Sequence, residues 1–224
     1  MANDDNYLNL SKAIYDGVGD YDIPEIIGMK DFDLPKFKQF NYCLSGKVSA
    51  SDGVSFFLDD YQFERVWNKP EKYVEVLKKY KVVLSPDFSL FLDFPKSIQI
   101  FNHYRKHWVA KYWQDNGIKV IPTIAWSDEE SFDWCFDGEP KNSVVAVSTL
   151  GCWSNAESKK AFMKGYEKMI EVLQPSKILI FCHSPIKELE ADNVVFIQYD
   201  YNIGGVQREK VIKSKEVKND KKSI

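Results

Sequence analysis

An acid placed just beyond an apolar run is the first place to look for chemistry. In this chain Asp59 and Asp60 follow VSFFL, and Asp87 follows KVVLSP. Two carboxylates on neighbouring strands separate in pKa, leaving one able to donate a proton and the other ionised as base, nucleophile or metal ligand. Adjacent side chains in a strand point to opposite faces, and the parity Val54, Phe56, Leu58, Asp60 selects Asp60 over Asp59. Asp60 and Asp87 are the candidate catalytic pair. The alternative is that both merely cap turns.

Other polar residues collect at the ends of apolar runs: Ser85 and Ser89, Trp126 and Ser127, Ser148, Thr149 and Cys152, Cys182 and His183, and Asp200. With Asp59 they are candidate binding residues. Any strand end must also turn polar where it meets water. Arg105 lies inside the arc Ile98, Phe101, Tyr104, Trp108, Val109, Tyr112, which should face the sheet. A buried-side guanidinium needs Asp60, Asp87 or a substrate phosphate as partner, unless its stem snorkels to the edge. His103 and His107 are four apart, but HYRKH lacks the glutamate of a zinc helix, and both are placed on the outer, basic face beside Lys106. Cys152 and His183 could meet across strands as nucleophile and base, against the plainer reading of a structural cysteine. The sequence identifies no metal set and no cofactor, and it contains no GxxxxGK[ST], GxGxxG after a strand or GxSxG. Trp113, Trp126, Trp134 and Trp153 near strand or helix ends could stack on a base or sugar, although core filling explains aromatics more often.

These positions need elements to hold them. Strand candidates are 54–60, 81–85, 118–126, 143–149, 177–182 and 193–200, several of them nearly continuous apolar runs as in parallel sheets covered on both faces. Between them Pro70 starts a helix. Pro95 starts the longest, which ends at Gly117, and Ser154 with Glu157 forms a capping box ahead of the stripe Phe162, Tyr166, Met169, Ile170, Leu173. The pattern predicts an α/β fold of about six parallel strands with crossover helices, as a reduced (β/α) barrel or an open doubly wound sheet. Residues 1–50 are expected to be an irregular acidic N-terminal layer, 51–205 a single α/β domain, and 206–224 a basic, solvated tail whose removal from about residue 208 leaves folding intact.

The chain has 224 residues and a net charge of -3. At about 150 residues per domain this is one domain with appendages, large enough to need no staple. Hydrophobic residues make up 44%, which excludes a wholly disordered chain. The weak negative charge argues against a protein that grips nucleic acid over its whole surface. Charge is polarised, with a net of -5 over residues 1–36 and +4 over 208–222. Four cysteines without CxxC spacing indicate neither a disulfide framework nor a zinc ribbon, and no apolar run approaches a membrane span. A soluble cytoplasmic protein is expected.

The blocks LDDYQFERVW through SPDFS, the NxYR of the long helix, GIKVIPTIAW and VAVSTLGC make the chain, over roughly residues 20–185, resemble a family of phage- and plasmid-borne proteins. That family is classed as a domain of unknown function, and many members carry a label of rolling-circle replication protein. The resemblance brings no catalytic residues. Relaxase-type initiators bind metal through a histidine, hydrophobe, histidine triplet, and His103, His107 and His183 contain none. A fainter likeness is to barrel enzymes that exchange or remove nucleobases through a strand-end aspartate, although their zinc-binding cysteine cluster is absent. The expected function is a mobile-element protein acting on nucleic acid or a nucleoside-like ligand. The alternative is a non-catalytic protein that binds a host or replication partner through its acidic N-terminal layer.

Overall fold

Continuous burial of short apolar runs, covered on both faces, builds the sheets of this chain, seen in a computed structural model that describes residues 12–44, 49, 51–153, 155–201 and 207–213. In chain order the elements are β1 (Gly17–Val18), β2 (Ile23–Pro24), β3 (Phe37–Gln39), α1 (Phe40–Cys43), β4 (Gly53–Ser55), α2 (Arg65–Asn68), α3 (Glu71–Leu77) and β5 (Val82–Leu84). Then come α4 (Lys96–Asp115), β6 (Val120–Ile121), β7 (Val144–Ser148), α5 (Ala156–Leu173), β8 (Lys177–Cys182), β9 (Val194–Tyr201) and β10 (Gln207–Lys213).

Strands β3, β4, β5 and β6 form one parallel sheet in chain order. Strands β7, β8 and β9 form a second, with β10 antiparallel on β9. A parallel bridge between Thr123 and Ala146 links the two. Alternation then sorts the side chains. Val82, Leu84, Val144, Ala146, Leu179 and Phe181 point into a cluster shared by both sheets, where Phe37 and Phe57 lie 5.3 and 4.7 Å from the Phe181 ring. Val83 packs outward under α1 to α4, whereas Val145, Val147, Ile178 and Ile180 pack outward under α5.

The expected α/β class and parallel direction hold, but the expected six-strand arrangement does not. Among the described residues seven strands run parallel, in groups of four and three, and no ladder joins β3 to β9. β3 lies inside the presumed irregular N-terminal layer, so the sheet begins before residue 51. It was hidden because FKQ is too short to show a pattern. Residues 207–213 pair with β9 rather than forming a free tail, so a truncation near 208 would strip a paired strand. Residues 1–11 and 214–224 lie outside the described set, as does Ser154. Asn155, not Ser154, is the N-cap of α5, accepting from the Ser158 N–H at 2.8 Å. Pro95 and Gly117 (φ 83°) bound α4 as expected. No helix among the described residues is long and apolar enough to cross a membrane.

Gly165 sits where α5 crosses Trp126, and a Cβ there would overlap the indole. Ordinarily Gly to Ala inside a helix gains about 1 kcal/mol. Gly165→Ala is expected to lower the melting temperature instead, as thermal unfolding by circular dichroism will show.

Candidate functional site

The loops leaving the carboxyl ends of β4, β5, β6, β7 and β8 enclose a cleft of about 1230 Å³. Asp59, Asp60, Asp87, Ser89, Trp126, Ser148, Cys152 and His183 all line it. In parallel sheets this is where loops can vary without disturbing the core. The parity argument that separated Asp59 from Asp60 fails, because β4 ends at Ser55 and both acids sit on a 3₁₀ turn. Asp60 differs from its neighbour by what holds it. The Ser89 N–H and hydroxyl both donate to its carboxylate, at 3.1 and 2.8 Å.

What fixes that loop is the polar face of α4. The apolar arc expected to face the sheet does not do so as a whole: Ile98 and Phe101 are 44% and 40% exposed. The buried stripe is instead Gln99, Asn102, His103, Lys106, Val109, Ala110 and Trp113, polar in its first half and apolar in its second. The polar half is satisfied by loop carbonyls, as burial requires. The Gln99 amide donates to Phe91 O and Phe94 O, Asn102 donates to Ser89 O at 2.7 Å, and Lys106 Nζ donates to Thr123 O at 3.0 Å. Arg105 is buried as expected, but its main partner is Glu64. Nη1 reaches both Glu64 oxygens at 2.7 Å, Asp60 lies 3.8 Å from Nη2, and the guanidinium stands 3.7 Å over the Phe88 ring. It holds the wall of the cleft and does not line it.

Asp87 has a different environment. Its carboxyl is only partly accessible and hydrogen-bonds to Thr123, whose hydroxyl also lies 2.9 Å from Ser85 Oγ. Burial pushes the Asp87 carboxyl up to about 7. Lys106 opposes that rise, the like charge of Asp60 adds to it, and the Thr123 hydrogen bond opposes it. Burial also pushes the Cys152 thiol up to about 11, with Asp87 adding to the effect. That direction disfavours the thiolate that a Cys152 and His183 nucleophilic pair would use.

Two further candidates, Ser85 and Thr149, are buried in the sheets, whereas Trp126 stays at the cleft wall. Ser85 is fully buried, bridging β5 to Thr123. Thr149 is buried, with its N–H donating to Phe181 O at 2.9 Å. Trp126 lines the cleft but packs on Phe162, with ring centroids 5.3 Å apart. The side chain of Asp200 lies outside the described set.

His103 and His107 are not surface residues. They are 1% and 0% exposed, because the buried stripe of α4 carries them inward. His103 Nε2 lies 3.0 Å from Asp137 O, His107 Nδ1 lies 2.8 Å from Pro24 O, and His107 Nε2 lies 3.1 Å from Glu139 Oε1. Lys106 forms an ion pair with the same Glu139 oxygen. Burial, with Lys106 and the neighbouring ring, holds His103 well below the usual imidazole range, and burial also lowers His107. For Glu139 burial acts upward, but Lys106 and His107 together outweigh it and leave the carboxyl low. Glu139 carried no signal in the sequence. The i, i+4 histidine spacing did, but HYRKH lacks the glutamate of a zinc helix and the apolar arc turned both histidines outward.

A family model described as "Domain of unknown function (DUF4417)" matches residues 15–200. The Gene 1 protein of Mycobacterium phage L5 is 37% identical over 176 residues, covering 78% of this chain and 76% of the phage protein. The Gene 1 protein of Mycobacterium phage D29 is 33% identical over 169 residues, covering 72% of this chain and 60% of its own length. No solved structure matches the chain.

Two expectations follow from the geometry. Removing Arg105 strands Glu64 and Asp60, so Arg105→Met should destabilise by about 2 kcal/mol, the scale of charged hydrogen bonds, in urea unfolding. Asp87 binds its proton more tightly folded than unfolded, so folding loses stability as pH rises from the ordinary carboxylate range to about 7. At about 1.4 kcal/mol per pKa unit, Asp87→Asn should therefore raise the melting temperature by several degrees at pH 8 and by almost nothing at pH 4. An equal difference at both pH values would contradict this environment for Asp87.

Proposed function

The chain belongs to the DUF4417 family, a domain of unknown function, and from the cleft itself we propose that it binds and processes a nucleoside-like ligand. Asp87 is the group that gives or takes a proton, and Asp60 is the fixed carboxylate beside it. The observation carrying this reading is a pair of neighbouring acids in one open cleft, one held by Ser89 and Arg105 and the other desolvated to about 7. A carboxyl group poised near neutral pH serves as well for donating a proton as for accepting one.

The lining also narrows the ligand. Phe57, Phe88, Phe91, Trp126 and Phe162 offer flat apolar surface, and Asp59, Asp60, Asp87 and Asp93 offer acceptors. No Lys or Arg is among the described lining residues. An extended phosphate backbone would meet only like charge there, since affinity for nucleic acid comes largely from basic side chains. A neutral or cationic ring compound, or a single base turned out of its strand, fits this lining better. A link to replication stays a proposal resting on the label carried by members of the family that the sequence resembles. The reading of a partner-binding protein draws its support from Tyr61, Phe91 and Leu92 at the rim, which are 79%, 56% and 50% exposed.

The test is equilibrium binding and turnover with a panel of nucleobases, nucleosides and oligonucleotides. The proposal expects a nucleoside-class compound to bind with little salt dependence. Asp87→Asn should cut its conversion by about a hundredfold or more with folding intact, the usual scale for acid-base groups. Binding only to oligonucleotides with a steep salt dependence, or conversion untouched in Asp87→Asn, would overturn it.

A further inference from the structure

We propose that His103, His107 and Glu139 form a binding site for one divalent transition-metal ion of the zinc class. The argument begins with the protons. Asp137 O and Pro24 O can only accept, so His103 Nε2 and His107 Nδ1, at 3.0 and 2.8 Å, are the nitrogens that donate. In neutral imidazoles that leaves a lone pair on His103 Nδ1 and another on His107 Nε2. Each ring is thus held in one tautomer by a backbone carbonyl, as the histidines of metal sites are.

Those lone pairs have no adequate partner. Among the described residues, His103 Nδ1 and Glu139 Oε2 are buried without any hydrogen bond. His107 Nε2 lies 3.1 Å from Glu139 Oε1, so two acceptors face each other. A second proton on His107 would relieve that contact, but it would set two cations, His107 and Lys106, on one carboxylate oxygen. The ligand atoms of the three residues lie within 4.8 Å of one another. Two imidazole nitrogens and a carboxylate oxygen are a zinc-type donor set.

The backbone is shaped for the same arrangement. Gly138, at φ 73°, lies so close to β2 and α4 that a Cβ would stand 2.7 Å from Pro24 O and 2.8 Å from His107 Nδ1. This close approach brings Asp137 O and Glu139 onto the helix together. Lys106 is the competing cation. Its ammonium lies against Glu139 Oε1, and a metal ion would displace it from that oxygen while Thr123 O remains available to it. The site stands independently of the reading of the cleft.

The experiment uses the full chain, stripped with a chelator and titrated with Co²⁺ and Zn²⁺. The proposal expects about one equivalent of Co²⁺ with visible d–d bands that Zn²⁺ displaces, and a melting temperature raised by Zn²⁺. His103→Ala and His107→Ala should weaken binding at least about tenfold, the scale of losing a ligand's support. Lys106→Met should strengthen it, and His183→Ala should leave it unchanged. If the buried variants fail to fold, X-ray absorption on the zinc-loaded wild type decides, and two imidazoles in the coordination shell are expected. A wild type without d–d bands or a Zn²⁺-dependent melting shift, or loaded zinc with fewer than two imidazoles, would overturn the site and leave a buried hydrogen-bond network.

Discussion

Lys106 carries an ammonium almost wholly shut off from water, and it lies against a Glu139 side chain that is fully enclosed. An unpaired charge in that position would cost several kcal/mol, so neither residue can be buried without the other. The pairing decides which face of α4 looks inward. Once Lys106 faces the sheet, helical spacing carries Asn102 and Gln99 inward one and two turns earlier, and Val109, Ala110 and Trp113 inward later. The later turns are held by apolar packing against Phe56 and its neighbours. The earlier turns are held by hydrogen bonds to the loop that follows β5.

That division explains how a cleft built from loops can keep its geometry. Ser89 receives Asn102 on its carbonyl and gives its N–H and hydroxyl to Asp60, so the position of Asp60 is set two bonds away on a rigid helix. Arg105 ties the same acid to Glu64. Among the described residues Asp87 receives only Thr123 directly and is otherwise desolvated, with Lys106 acting on it through space. Its ionised form is therefore disfavoured in the folded chain. A group that lowers stability where it sits is common at sites kept for function.

The legible parts of the sequence were those where one local rule dominates. The β-branched runs of β7 and β8 could hardly be anything but buried strands, and the run KILIFC coincides with β8 to the residue. Proline before α4 and glycine after it marked the ends of that helix. The acids past β4 and β5 were found because a carboxylate after an apolar run is visible without coordinates, and they share one cleft. The orientation of α4 was not legible. Its buried stripe mixes Gln, Asn, His and Lys with apolar residues, and the test for a face by hydrophobicity picked residues such as Ile98 and Phe101 that stand near the solvent. Ser85 and Thr149 looked like site residues because they end strands, yet their hydroxyls serve the ladders. Glu139 lies in a loop with no pattern around it, and only the fold brings it to the histidines.

The account turns on the unequal environments of two acids in one cleft, and carboxyl carbon NMR on the ¹³C-aspartate-labelled chain measures this most directly. Asp87, assigned by loss of its resonance in Asp87→Asn, should titrate near pH 7 in the wild type. A midpoint in the ordinary carboxylate range, about 4, would mean that Asp87 is solvated like any surface acid and would contradict the account.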